Sequence, residues 1–213
     1  RSFGLDLTPS VSFNLPLEQG RLDFGYTYGL RWYEDRPGDD TDQYHNFTGN
    51  FSHQFSPRYK IGISENFAIA QEPEQIAGAG AALIPFRTEG DNIRNSAGAV
   101  FTAQITDPIS ADLSYNNNYY DYDNDQYGQA LDRIEHTIGT SLRYQFRPTT
   151  FGSIGYNYGI YDYTSKLVTT LNPQSKDQDS HFIFAGVDHN FTSRLLGSAR
   201  VGVQIATWDK LGP

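Results

Sequence analysis

Three features of the sequence predict an all-β fold whose antiparallel strands cross a membrane. Apolar and polar residues alternate over unusually long segments. The connections between these segments are in turn short and long, and Tyr and Phe dominate the large apolar residues. A strand needs about 9–11 residues to cross a bilayer, and only every second side chain faces lipid. The sequence therefore predicts a transmembrane antiparallel up-and-down β-barrel.

The composition excludes a helical membrane protein. The 213 residues include 15 Tyr, 14 Phe and 20 Gly but no Cys, and the formal net charge is −9. No apolar run approaches the ~18–20 residues of a membrane-spanning helix; the strongest candidate, 76–85, is rich in Gly and Ala and ends at Pro85. The acidic balance, without a basic stripe, predicts no nucleic-acid partner.

Alternation is clearest in residues 21–33. One face of that segment is apolar or aromatic: Leu22, Phe24, Tyr26, Tyr28, Leu30 and Trp32. The other face carries Arg21, Asp23, Gly25, Thr27, Gly29 and Arg31. Nine further segments show the same pattern: 3–17, 44–55, 59–71, 96–105, 109–120, 134–146, 150–163, 181–191 and 195–208. We therefore expect ten strands in this segment.

The connections alternate in length, as in an outer-membrane barrel with short inner turns and long outer loops. The short turns, which hold Gly, Pro, Ser, Thr or Asp, are 18–20, 56–58, 106–108, 147–149 and 192–194. The long outer loops are 34–43, 72–95, 121–133 and 164–180. Residues 1–213 thus form a single barrel domain.

The order of the connections places both ends of the chain on the outer rim. Barrels of this kind keep both termini on the inner side, so we expect this segment to be part of a barrel of twelve or more strands. The alternative is a complete ten-stranded barrel whose long loops lie in the periplasm.

A soluble sandwich or lipocalin-like barrel would show the same periodicity with its apolar face inward. Strand length and a polar face rich in Gly, Ser, Asn and Thr favour the membrane. Aromatic residues also cluster near strand ends, as at a membrane interface: Tyr26, Tyr28, Trp32, Tyr115, Tyr119, Tyr156, Tyr158 and Trp208. We expect a protein of the bacterial outer membrane in contact with its lipids.

Three turns share a pattern of an aromatic residue followed by Ser, Thr, Pro or Arg: Phe55-Ser56-Pro57-Arg58, Phe146-Arg147-Pro148-Thr149 and Phe191-Thr192-Ser193-Arg194. With the Tyr-rich strands around these turns, the chain resembles the β-barrel porins and other outer-membrane β-barrel proteins of Gram-negative bacteria. Some of those proteins accompany exopolysaccharide export systems. The resemblance implies the architecture and a place at the cell surface.

Charged residues of both signs fall on the polar face: Asp6, Arg21, Asp23, Arg31, Lys60, Asp112, Glu135, Arg143, Asp188 and Arg200. As a pore lining they would set the field that selects solutes, whereas the alternative is that they simply pair across strands. The first interpretation predicts a channel for small solutes or ions. The second fits a scaffolding barrel whose loops bind a surface protein or polysaccharide, and a homo-oligomer fits both.

Two acidic features stand apart from the polar face. Alternation puts Glu65 on the lipid face, which predicts a bulge in that strand or a position near the rim. Asp121, Asp123 and Asp125 alternate in a loop, as calcium ligands do, but Gln126 stands where a calcium loop needs Gly. Calcium is therefore a weak alternative to an acidic solvated loop, and we expect no other cofactor.

The available bases for catalysis are His45, His53, His136, His181 and His189. Ser180 precedes His181 and Asp188 precedes His189, so on a strand the two members of each pair point to opposite faces. No nucleophile motif is present. The sequence therefore predicts no catalytic residue and no enzymatic activity.

Overall fold

The computed structural model describes residues 3–35, 40–70, 92–123, 128, 131–164, 174–192 and 194–210. They form one antiparallel sheet in which the first two strands both pair with the third, and every later strand pairs with its neighbours in the chain. The strands are β1 (Gly4–Leu7), β2 (Ser10–Leu17), β3 (Gly20–Tyr33), β4 (Thr41–Ser56), β5 (Tyr59–Ala70), β6 (Asn92–Thr106), β7 (Ile109–Tyr122), β8 (Arg133–Arg147), β9 (Thr150–Tyr163), β10 (Gln174–Thr192) and β11 (Leu195–Lys210). No helix in these ranges is long and apolar enough to cross a membrane.

Strands β1 and β2 are two halves of the first predicted strand. Leu7 pairs with Leu30 and Ser10 with Thr27, so the register against β3 does not change across the break. Proline has no N–H to donate to the ladder, which interrupts the strand at Pro9. The Pro9 carbonyl still accepts a hydrogen bond from the Tyr28 N–H at 3.0 Å. All ten predicted strands are therefore present.

Several strands extend beyond the alternating segments. β4 begins at Thr41, β6 at Asn92 and β10 at Gln174, each inside a predicted long loop. Apart from Ile93, the residues of these extensions are polar, so the period of two in hydrophobicity disappears even though the backbone ladder continues. The Gly/Ala-rich stretch 76–85 lies outside the described residues.

Each strand that follows a short turn is shifted by the same number of residues relative to the previous such strand. The row that begins at Gly20 reaches β5 at Ile61, which is two residues beyond that strand's first residue, Tyr59. The row of Tyr59 likewise reaches β7 at Ala111, two residues beyond Ile109. The same step recurs at β9 and β11. A uniform stagger of this kind is the shear that tilts the strands of a barrel.

The apolar side chains lie on the surface of the sheet. Val201, Phe13 and Leu113 are 74%, 56% and 56% exposed, and Tyr122 is the one buried large hydrophobic residue among those described. A soluble barrel would bury these side chains in its interior. An outer apolar face without a protein layer over it is instead the face that a membrane barrel turns toward lipid.

On the polar face of the sheet, two glycines lie directly beneath aromatic rings. Gly29 pairs with Tyr44, and Gly155 pairs with Phe184. A Cβ atom at either glycine would collide with the ring of its partner. The missing side chains therefore let two large rings lie flat against the sheet.

We predict that Gly29→Ala lowers the free energy of unfolding by about 1–3 kcal/mol, because the methyl group needs the space of the Tyr44 ring. Gly62→Ala is the matched control, since nothing lies within 4 Å of a Cβ atom added there. Urea unfolding in lipid vesicles, followed by tryptophan fluorescence, measures both variants. Equal losses would contradict the role assigned to the ring.

Candidate functional site

The candidate site is the polar face of the sheet, which we define as the face that carries Arg21 and Asp23. The register places all ten sequence-predicted charges on it: Asp6, Arg21, Asp23, Arg31, Lys60, Asp112, Glu135, Arg143, Asp188 and Arg200. The opposite face, which carries most of the exposed hydrophobic side chains, is the apolar face. That the polar face lines a pore is a proposal, which is developed below.

Three ion pairs join six of these charges. Arg21 Nε contacts Asp23 Oδ1 at 2.7 Å within one strand. Arg31 Nε contacts Asp6 Oδ2 at 3.0 Å across β1 and β3. The third pair, between Arg143 Nη2 and Asp188 Oδ2, spans β8 to β10 with a distance of 3.5 Å. Cross-strand pairing, the second interpretation of these charges, therefore accounts for four of the ten, and Arg21 and Asp23 pair along one strand.

Glu135 pairs with a residue that the sequence assigned to a loop. Arg133 Nε contacts Glu135 Oε1 at 2.7 Å, and the two side chains are only 20% and 17% exposed. The Arg133 guanidinium also stacks 4.0 Å from the centre of the Tyr120 ring. Asn118 donates from Nδ2 to the second Glu135 oxygen at 3.1 Å. The signal in the sequence was the i, i+2 spacing of Arg133 and Glu135, which puts them on one face of a strand.

The remaining three predicted charges differ in their surroundings. Asp112 accepts hydrogen bonds from Thr102 at 2.6 Å and from Ser141 at 3.3 Å. Lys60 and Arg200 form no ion pair with any residue that the structure describes. These two cations are therefore the least compensated charges of the predicted set.

Small and polar residues surround a concavity of about 350 Å³ on the same face. Arg21 and Asp23 border it on one side and Asn116 on the other, with Gly62 and Gly98 between them. No atom lies within 4 Å of a Cβ added at Gly62, so the space directly above this glycine is empty. This part of the polar face offers hydrogen-bonding groups around a space wide enough for water and small ions.

The predicted calcium loop is only partly described. Asp121 accepts a hydrogen bond from the Tyr119 hydroxyl at 3.0 Å, while Asp125 lies outside the described residues. Asp132 accepts the Tyr122 N–H at 2.8 Å, and burial raises the pKa of the Asp132 carboxyl. The described ranges contain no group of three or more His, Cys, Asp or Glu that could hold a metal ion. Calcium binding stays a prediction.

Tyrosine and histidine form a repeated pair on the apolar face. Each of the strands β3, β5, β7, β9 and β11 follows a short turn, and we define the level of a residue in such a strand as the number of residues that separate it from the strand's first residue. Tyr26, Tyr115 and Tyr156 all lie at level six. Their hydroxyls contact the Nδ1 atoms of three histidines, His45 at 2.9 Å, His136 at 2.8 Å and His181 at 2.7 Å. Each histidine lies opposite a residue at level eight. We call these three pairs the Tyr–His belt.

Two expectations about the apolar face need correction. Glu65 pairs regularly with Gly49 and Ala97, and the registers on both sides of it are unbroken, so the bulge is wrong, while the alternative of a position near the rim stays a prediction. Trp208 pairs with Gln178 in a row of the polar face, so it does not belong with the aromatic residues of the apolar face.

No protein-family model and no curated protein matches the chain. Among solved structures, the chain is similar to OmpT, an outer membrane protein of Vibrio cholerae, folded in vitro (TM-score 0.61, 14% identity, covering 93% of this chain and 54% of that chain). It is also similar to a mutant of OmpT that lacks loop L8 (TM-score 0.63, 15% identity, covering 94% of this chain and 58% of that chain). The chain spans a little more than half the length of these OmpT chains.

This likeness confirms the predicted fold, an outer-membrane β-barrel, and with it the expected setting in the bacterial outer membrane. The fold brings the apolar face into contact with the lipid bilayer. The predicted total of twelve or more strands stays a prediction.

The prediction that the chain is not an enzyme is corrected. Two solved structures that share its fold are OmpT chains, and this likeness carries no exclusion of catalysis. The sequence argument also considered only neighbours along the chain, whereas the structure brings hydroxyls from adjacent strands to the histidines. Besides the Tyr–His belt, Thr150 Oγ1 lies 2.8 Å from His189 Nδ1. The exclusion of enzymatic activity is therefore withdrawn.

We predict that Arg133→Gln and Glu135→Gln each lower the free energy of unfolding, and that the double variant loses less than the sum. The coupling should be about 1–2 kcal/mol, because each single change leaves a mostly buried charge without its partner. Lys60→Gln serves as the control, since Lys60 has no such partner. Urea unfolding measures all four variants, and strictly additive losses would argue against the pair.

Proposed function

We propose that this barrel is a porin-like channel for small solutes or ions. The observation that supports this proposal most is a continuous polar row across the sheet. It crosses nine strands without a large apolar residue: Asn14, Asp23, Asn50, Ser64, Gly98, Asn116, Thr137, Gly159 and Ser180. In a closed barrel the stagger of the strands makes such a row wind around the lumen and change depth as it goes, so that it lines the lumen with hydrogen-bonding groups at several depths.

A lumen filled by its own side chains would need larger residues at these positions. Small barrels pack their interior with side chains, whereas barrels with channels leave it polar and wet. The Ser and Asn side chains of this row are short, and the concavity of about 350 Å³ lies on it. The polar face is therefore better suited to solvating a passing solute than to sealing the barrel.

The charges on this face give the proposed channel its selectivity. The ion pairs cancel most of them locally, and a compensated pair contributes little field at a distance. Two cations, Lys60 and Arg200, and one carboxylate, Asp112, are left without an ion pair among the described residues, so the positive charges outnumber the negative one. We infer that they favour the passage of anions over cations.

The alternative is a scaffolding barrel whose long loops bind a surface protein or polysaccharide. Both functions need the same outer-membrane barrel, but only a channel conducts ions. Single-channel recording of the full-length protein in planar bilayers separates them. Discrete conductance steps support the channel, whereas folded and inserted protein without ion current would favour the scaffold.

We predict that Arg200→Glu raises the ratio of cation to anion permeability by roughly two- to fivefold. A unit charge about 4 Å from an ion in water interacts with it by about 1 kcal/mol, which corresponds to a factor of about five. The reversal potential in a KCl gradient measures the ratio. Arg58→Glu, in the turn between β4 and β5, is the control with the same change of charge. A shift of equal size in both variants would refute a specific role for Arg200.

A further inference from the structure

Aromatic residues are distributed unevenly over the polar face. In the described part of β2 to β8 they occur on this face only near the long loops, and they are Tyr33, Tyr44, Tyr120 and Tyr122. On β9 and β10 the rings continue toward the short turns, because Phe182 lies opposite Asn157 at level seven and Phe184 opposite Gly155 at level five. Tyr161 precedes them at level eleven. We call Tyr161, Phe182 and Phe184 the aromatic wall.

Each ring of the aromatic wall lies across a glycine. A Cβ atom added at any of these glycines would collide with the ring above it, and they are, in the order of the rings, Gly159, Gly202 and Gly155. A ring that lies across a glycine turns its face, and not only its edge, to the space above the sheet. Phe182 and Phe184 do so together, with centroids 5.7 Å apart and an angle of 24° between the ring planes. The rings are only partly buried, so their faces are open to a solute.

Amide side chains flank the rings. Asn157 and Gln204 lie on either side of Phe182 in its row, and Gln178 lies beside Tyr161. Neither the Asn157 nor the Gln204 side chain forms a hydrogen bond with another residue that the structure describes. An amide both donates and accepts hydrogen bonds, as a sugar hydroxyl group does.

The aromatic wall itself is neutral. From the row of Ser180 to the row of Phe184, the polar face of β9, β10 and β11 carries no Asp, Glu, Lys or Arg. The nearest charges, Arg200 and Arg143, lie in the next row toward the short turns. A solute that carries a charge beside each ring would find no partner along the wall, whereas a neutral solute with hydroxyl groups would.

We propose that the aromatic wall binds linear oligosaccharides on their way through the channel, an inference that rests on the proposed channel function. The C–H groups on the face of a sugar ring carry a slight positive charge and pack against the negative face of an aromatic ring. The hydroxyl groups at the edge of the sugar then reach the flanking amides. Gly159 and Gly155 are four residues apart on β9, or about 13 Å along the strand, so the wall is longer than one sugar ring. The solute is therefore a chain that contacts several rings in succession.

Two measurements on the full-length protein test the binding of sugars. Titration calorimetry of the folded protein in detergent should show that maltohexaose or cellohexaose binds about tenfold more tightly than the corresponding disaccharide, because only the longer chain reaches every ring. In planar bilayers the same hexasaccharide should interrupt the ion current. Ion current with no binding of either hexasaccharide would overturn this inference and leave the channel intact. Binding without any ion current would instead refute the channel and keep the site, and equal affinities for short and long chains would contradict a path along several rings.

Substitutions test whether the ring faces hold the sugar. Phe182→Leu and Phe184→Leu should each weaken hexasaccharide binding by about five- to tenfold, because leucine keeps an apolar side chain but has no ring face. Tyr44→Leu is the matched control, since Tyr44 also lies across a glycine of the polar face, Gly29, but on β4. Losses of equal size in all three variants, or unchanged affinity in Phe182→Leu and Phe184→Leu, would show that the aromatic wall is not the sugar site. Heat-dependent migration in SDS gels confirms that each variant is folded.

Discussion

The structure depends on one constraint, which is that hydrocarbon cannot hydrogen-bond a peptide group. Each strand must therefore find its donors and acceptors on neighbouring strands. The antiparallel ladders from β3 to β10 meet this requirement over nearly their whole length, and even Pro9 interrupts a strand without changing its register. Once the ladder is fixed, side chains can only point to one of two faces. The separation of apolar and polar residues follows from this geometry.

The constant stagger relates the position of a residue in its strand to its depth in the membrane. The strand after each short turn is shifted by two residues relative to the strand after the previous short turn. Residues at equal distances from the turns therefore lie at equal depths in the membrane. Tyr26, Tyr115 and Tyr156 therefore form a belt at one depth although they are far apart in the sequence. Their hydroxyls meet histidines nearer the long loops, as expected where an apolar ring ends at a wetter layer. In β5 the residue at level six is Glu65, which interrupts the belt.

The polar face combines neutral hydrogen-bonding groups with charges that are mostly paired. Arg21, Arg31 and Arg143 each hold a carboxylate nearby, so the interior field is weaker than the number of charges suggests. Arg133 and Glu135 are the least exposed of the ion pairs described above, and they connect β8 to β7 through Tyr120 and Asn118. The paired residues thus stabilise the sheet, whereas the channel that we propose depends on the neutral groups of the same face.

The sequence by itself determined the strands, their order and the face of each charged residue, because a period of two leaves only two orientations. It could not find the strand starts at Thr41, Asn92 and Gln174, where nearly all residues are polar and hydrophobicity shows no period of two. Only the tertiary structure decided which charges meet, since Asp188 and Arg143 are brought together by the pairing of β8, β9 and β10. It also supplied the hydroxyl partners of the histidines and showed that Glu65 interrupts a belt. These facts depend on register between strands, which hydrophobic alternation within one strand does not encode.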